Sequence, residues 1–389
     1  MIAYNAQWMS NLAVVNVSRE AFDAGLLGKE EMSAVETHYS IGFYTPHFVI
    51  RIGLFLLCLV ILLFSFGLFA LLFMSNIEHA YTGLLLAFSI LCFIALEIMI
   101  NRKKHFCSGV DDALLYVGYI LFLVSIFLLI QPSEMVLSGL AFMISLAAVI
   151  RYADRLMVLL AFLSLGGFLF YGAIEFGSLM KFIIPFLLMV YSALCYFFSQ
   201  RFKSPDHNNT LNIYTNCLQF LKIVSLLGIY ISVNYWVVRE LSNIMFNLQL
   251  QTGQSIPFGW FFWITTLLIP TWYILYGIKK KDRIFLRIGM CLVAAMIITI
   301  RYYYPLFGIE WWMSAAGLGM ISASWLLIRY LQIPRNGFTD RQEPGKYQAD
   351  ASQSESLVQA ETFSSTNNPV DGTSFGGGSF GGGGSTGTF

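Results

Sequence analysis

Apolar runs recur along most of the chain, each closed by a short polar or basic stretch. They begin near Ile50, Thr82, Ala113, Met135, Leu156, Phe182, Leu221, Pro257, Ile284 and Trp311. An α-helix rises ~1.5 Å per residue, so runs of ~20 residues match the ~30 Å hydrocarbon core of a bilayer. The pattern predicts an all-α fold, a polytopic integral membrane helix bundle of about ten transmembrane helices spanning residues 49–333. One stretch is ambiguous. Within residues 131–181, "LSLGGFLFYGAIEFGS" reads either as a complete span or as a broken helix, because glycine permits close packing and weakens the helix that holds it.

The flanks follow other patterns. In residues 1–48, Ser18 is placed to cap a short helix that runs through Phe22 and Ala24 and stops at Gly25; Gly28 then precedes "KEEMSAVETHYS". Met32, Val35 and Tyr39 fall on one face of that second segment, which predicts a small helical hairpin. The opening "AQWMSNLAVVNVSRE" has no basic leader, so no cleaved signal peptide is expected. Residues 334–389 turn to Gln, Ser, Thr, Asn and Gly, a composition that buries too little apolar area to order itself. In that tail "SFGGG" and "SFGGGG" space Phe375, Phe380 and Phe389 as apolar groups suited to docking on a protein partner, the plain alternative being a solubilising end.

Composition narrows the class. With 57% hydrophobic and only 12% charged residues, and a mean hydropathy of +0.68, lipid must replace water over much of the surface. A net charge of +1 gives no basic face for nucleic acid. The six cysteines form no Cys-x-x-Cys pair and read as apolar packers. Alternate loops carry twelve Lys and Arg against three in the others, an asymmetry that puts both termini in the cytoplasm.

Ionisable residues at membrane depth are the natural place to seek chemistry. Glu97 and Lys222 stand near span ends and are expected to snorkel to the interface. Asp111 and Asp112 fit the acidic pairs of metal-dependent lipid-linked transferases, but the simpler expectation is helix capping. On the other face Arg301 and Glu310 flank a turn rich in Tyr and Trp, and Leu241, Ile244, Met245 and Leu248 repeat at helical spacing. These could roof a ligand cavity with Arg301 and Glu310 as floor and Asn234 and Tyr235 as walls; an aromatic belt is the ordinary reading. No catalytic motif, metal-ligand spacing or phosphate loop is present, and no cofactor is expected.

Two resemblances bear on the whole. The stretch "AFDAGLLGKEEMSAVETHYSIGFYTPHFVIRIGLF" resembles a family of uncharacterised bacterial predicted membrane proteins, in which a short helical segment with a "GLI-x-x-E" pattern leads into a many-span bundle; here Gly28 follows "GLL". The resemblance implies a location in the bacterial cytoplasmic (inner) membrane and carries no activity. The Gly-rich tail ending on Phe389 is similar to the tails of bacterial TPM-domain proteins. The leading expectation is an interaction or assembly component using its cytoplasmic termini. A small-molecule transporter ranks second, because the spans offer no evident buried carboxylate for ion coupling and no matched helix interruptions. An outward-facing membrane enzyme or receptor ranks third.

Overall fold

The apolar runs fold as helices. The computed structural model describes residues 3–23, 25–73, 80–177, 180–202, 213–246 and 256–303, with single positions between 314 and 329. Two helices open the chain, α1 (Ala6–Asp23) and α2 (Lys29–His38). There follow α3 (Phe48–Phe73), α4 (Ala80–Lys103), α5 (Val110–Ile130), α6 (Glu134–Tyr152), α7 (Arg155–Glu175), α8 (Met180–Arg201), α9 (Thr215–Val233), α10 (Tyr235–Phe246), α11 (Gly259–Lys280) and α12 (Arg283–Tyr303). Among the described residues nine helices, α3 to α9 with α11 and α12, are long and apolar enough to cross a membrane. The tenth run, from Trp311, and the tail lie largely or wholly outside the described residues.

Residues 131–175 settle the ambiguous stretch as two full helices. Pro132 cannot continue α5, whose C-cap Gln131 turns into the left-handed region at φ 46°. Ser133 then caps α6 by accepting the Val136 N–H at 3.5 Å. Asp154 caps α7 by accepting the Met157 N–H at 2.9 Å, and α7 runs unbroken through Gly166 and Gly167.

The spans pack chiefly as neighbours in sequence, α4 on α5, α6 on α7, α8 on α9 and α11 on α12, with α7 joining the second and third pairs. Hydroxyl groups tie helices together, within pairs and between them, where lipid supplies no hydrophobic drive. Ser89 donates to the Gly118 carbonyl at 2.9 Å, Tyr191 to Phe162 at 2.8 Å and Tyr273 to Leu226 at 3.2 Å. α3 packs on α5 and less on α4, leaving Leu63 and Phe64 among its outward apolar side chains.

The N-terminal unit differs from expectation in its start. α1 begins twelve residues before Ser18, at Ala6, because Asn5 caps it: its Oδ1 accepts the Gln7 N–H at 2.9 Å. Ser18 lies inside the helix. The other signals behave as expected. Gly25 turns at φ +74°, the Gly28 N–H donates to Glu31 at 2.8 Å, and Met32 is buried against the hairpin with Val15. Arg19 and Glu36 link the two helices at 2.8 Å.

Candidate functional site

Both ends of the N-terminal unit are fastened to one end of the bundle. At the first, the Ala3 N–H donates to the Arg151 carbonyl at 2.8 Å, and Tyr4 is buried edge-on to Phe106 at 4.9 Å. At the second, the Tyr44 N–H donates to Lys104 at 3.0 Å and its carbonyl accepts from Phe106 at 3.3 Å. Phe43 joins the two, 6.0 Å from Tyr4 and 5.2 Å from Trp8. The Lys104 ammonium lies over Trp8, 4.7 Å from the ring centre. α1 and α2 are thereby held as a loop pinned at both feet.

Beneath these feet is a half-buried charged hub. Arg51, one turn into α3, donates Nε and Nη2 to the same Asp112 oxygen at 2.9 and 2.6 Å. Its neighbour Asp111 accepts both the Ser108 N–H and hydroxyl, at 2.8 and 2.9 Å. Since that hydroxyl is committed as a donor, His105 Nδ1, 2.8 Å from the same oxygen, is the donor in turn. Asp154 takes the Tyr116 hydroxyl at 3.0 Å. Of these three carboxyl groups only that of Asp112 contacts the Arg51 guanidinium. Tyr4, Cys107, Tyr152 and the three aspartates line a cavity of about 20 Å³, room for a single water.

Electrostatics follow from burial. Desolvation pushes the Asp154 carboxyl above the ordinary range, against the hydrogen bonds from Met157 and Tyr116. Burial pushes the Cys107 thiol up to about 12, so it is not a thiolate nucleophile at neutral pH. Burial, with Asp111 nearby, also raises the Tyr4 phenol. Among the described residues no set of three or more His, Cys, Asp or Glu has the geometry of a metal site.

The capping expectation fails for both: α5 has Gly109 at its N-cap with no side-chain cap, Asp111 ties back to Ser108 before it, and Asp112 serves as the counter-ion of Arg51. Both are buried, at 4% and 8% exposure, which removes the sequence argument that no buried carboxylate exists. Of the other two candidates, Glu97 is part-exposed at the end of its span and Lys222 is buried, and each is ion-paired. Glu97 is gripped by Arg151 Nε and Nη2 at 2.6 and 2.8 Å and by the Tyr152 hydroxyl at 2.8 Å. Lys222 is buried and donates to Asp282, with its ammonium 5.1 Å from the Phe285 ring centre. Burial raises the Asp282 carboxyl, but Lys222 together with the Ile284 and Phe285 N–H groups more than offsets this and leaves it below the ordinary range. In each case a counter-ion from a neighbouring element holds the charge.

The opposite end of the bundle holds the other candidates. Asn234 breaks the chain between α9 and α10 and spends its whole amide: Nδ2 donates to Tyr230 at 3.0 Å and Thr299 at 3.2 Å, and Oδ1 accepts from Trp236 at 3.0 Å and Val237 at 3.2 Å. Tyr235 stacks on Trp263 at 4.6 Å and meets Tyr303 at 5.0 Å. Arg301 stands two residues before Tyr303 and is half-buried. Glu310, Leu248 and the side chain of Met245 lie outside the described residues, as do Phe375, Phe380 and Phe389. The cavity at this end, about 120 Å³, is walled by Phe170, Pro185, Ile231, Val238 and Leu241 with the hydroxyls of Ser232 and Ser242; Asn234, Tyr235 and Arg301 do not line it. Leu241 lines it, but with Asn234, Tyr235 and Arg301 absent from its wall this is not the cavity that the sequence predicts.

Arg51 and Asp154 are the functional candidates that sequence reasoning passes over. One signal points to Arg51, since an arginine at the head of an apolar run and the acidic pair Asp111–Asp112 opening another each demand a partner; no such signal marks Asp154.

Fold and site together define a polytopic α-helical membrane protein with a helical hairpin pinned over a half-buried ionic hub. Comparison with protein-family models, curated proteins and solved structures finds no match.

Proposed function

We propose that this chain is an interaction or assembly component of the bacterial inner membrane, whose bundle presents the α1–α2 hairpin on the cytoplasmic side to a protein partner, with the tail bearing Phe375, Phe380 and Phe389 beside it. The observation that carries this reading is the double anchorage through Ala3–Tyr4 and Phe43–Tyr44. A hairpin tied at one foot would sweep freely, whereas one tied at both offers a preorganised surface, which lowers the entropy lost on binding. Its outer surface has the right character, with Leu26 and Val17 exposed at 78% and 59% among charged neighbours.

The test places a photo-crosslinking amino acid at Leu26 in living cells. A discrete adduct that weakens several-fold in the Tyr4→Ala background is expected. No adduct from Leu26, Val17 or Glu30 would overturn the reading.

A proton- or cation-coupled transporter is the second reading, favoured by the buried Asp111 and Asp112. It ranks lower because both sit in the first turn of α5, at interface depth, while coupled transport sites gather near the midplane.

A further inference from the structure

A groove of about 580 Å³ lies between α4 and the end of α6. Its trough is Ile90, Phe93, Ile94 and Ile98, and its mouth is Glu97, Asn101, Arg102 and Tyr152. The isoleucines recur every fourth residue on α4 and are exposed at 47%, 51% and 48%. From Ile90 to Arg102 the helix rises about 18 Å, close to the ~15 Å half-thickness of a bilayer core. The groove is thus one leaflet deep, apolar along its length and polar only where headgroups lie.

The charge at the mouth is cationic. The Glu97 oxygens are taken up by Arg151, Tyr152 and Asn101, the last at 3.2 Å, so the carboxylate is already neutralised. Arg102 and Asn101 stand exposed at the rim, and Lys103 follows. Their donors match a phosphodiester, and the trough matches an acyl chain. We infer that this groove is a binding site for an anionic glycerophospholipid, its phosphate held by Arg102 and Asn101 and one acyl chain laid along Ile98, Ile94 and Ile90. The Arg151–Glu97 pair braces α6 against α4 at the mouth and keeps that width fixed.

The experiment is native mass spectrometry of the full chain in mild detergent, titrated with phosphatidylglycerol or with phosphatidylcholine of identical chains. Phosphatidylglycerol should bind about tenfold more tightly, the worth of one charge-assisted contact. Arg102→Gln should bring the two lipids to parity, and Ile94→Trp, which fills the trough, should weaken both. Thermal midpoints of the two variants check that each remains folded. Equal binding of the two lipids by the natural chain, or unchanged binding by both variants, would overturn the inference. So would competition by water-soluble glycerophosphoglycerol at the same concentration as the lipid, since the trough would then contribute nothing.

Discussion

Asp154 does two things with one carboxylate. It caps α7 through Met157 and accepts from Tyr116, yet burial still raises its proton affinity above that of an exposed aspartate. The folded protein therefore holds this proton more tightly than the unfolded chain. Its contribution to stability is complete below the ordinary carboxylate range, near pH ~4, and declines as pH rises through the raised value. Asp154→Asn keeps an oxygen for the cap and cannot ionise. The thermal midpoint of the variant in detergent, followed between pH ~4 and ~7, should fall less with rising pH than that of the natural chain. Parallel profiles would mean that Asp154 titrates alike in both states. Lone letters gave little access to this hub. Arg51 and Asp112 are 61 residues apart, and Tyr116 and Asp154 are 38 apart, so the pairing depends on which helices become neighbours.

Elements were far more legible than their contacts. A run of apolar residues that must satisfy every backbone group within lipid has essentially one solution, the helix, so nine spans appear where the pattern predicts them. Which faces meet is decided by small residues whose role no pattern reveals. At Gly228 an added Cβ would lie 2.7 Å from Ser192 Oγ and 2.8 Å from Phe162 Cζ, where α7, α8 and α9 converge. Gly67, on the open face of α3, has nothing within 4 Å of the same position. Alanine is the better helix former by roughly 1 kcal/mol, so propensity alone favours both substitutions. Overpacking costs about 1–3 kcal/mol, which outweighs propensity at the crowded site only. Gly228→Ala should lower the midpoint of unfolding and Gly67→Ala should leave it unchanged or raise it; equal effects would deny the close approach of the three helices.

At the scale of the whole molecule the two ends of the bundle differ in kind. One end gathers the hairpin feet, the hub, the Glu97–Arg151 pair and the Lys222–Asp282 pair, with the Tyr214 hydroxyl donating to Ile150 at 2.6 Å and the Cys217 thiol to Ala153 at 3.0 Å across neighbouring turns. The other end offers an amide and an aromatic cluster, Asn234 with Tyr235, Trp263 and Tyr303. These contacts bring the turns at 104–109 and 153–154 to the same end, and those turns sit among the Lys- and Arg-rich loops counted in the sequence. The proposed orientation, with Lys and Arg retained on the cytoplasmic side, would put the hub end in the cytoplasm. In a background with the six cysteines replaced, an impermeant thiol reagent applied to intact cells should label Gly253→Cys and reach Asp206→Cys only after lysis. The reverse pattern would turn the molecule over and place the hairpin outside, removing the cytoplasmic partner. Labelling of both in intact cells would require an even number of crossings between them, α9 and then α10, and α10 is too short to supply the second, since twelve residues rise only about 18 Å against a ~30 Å core.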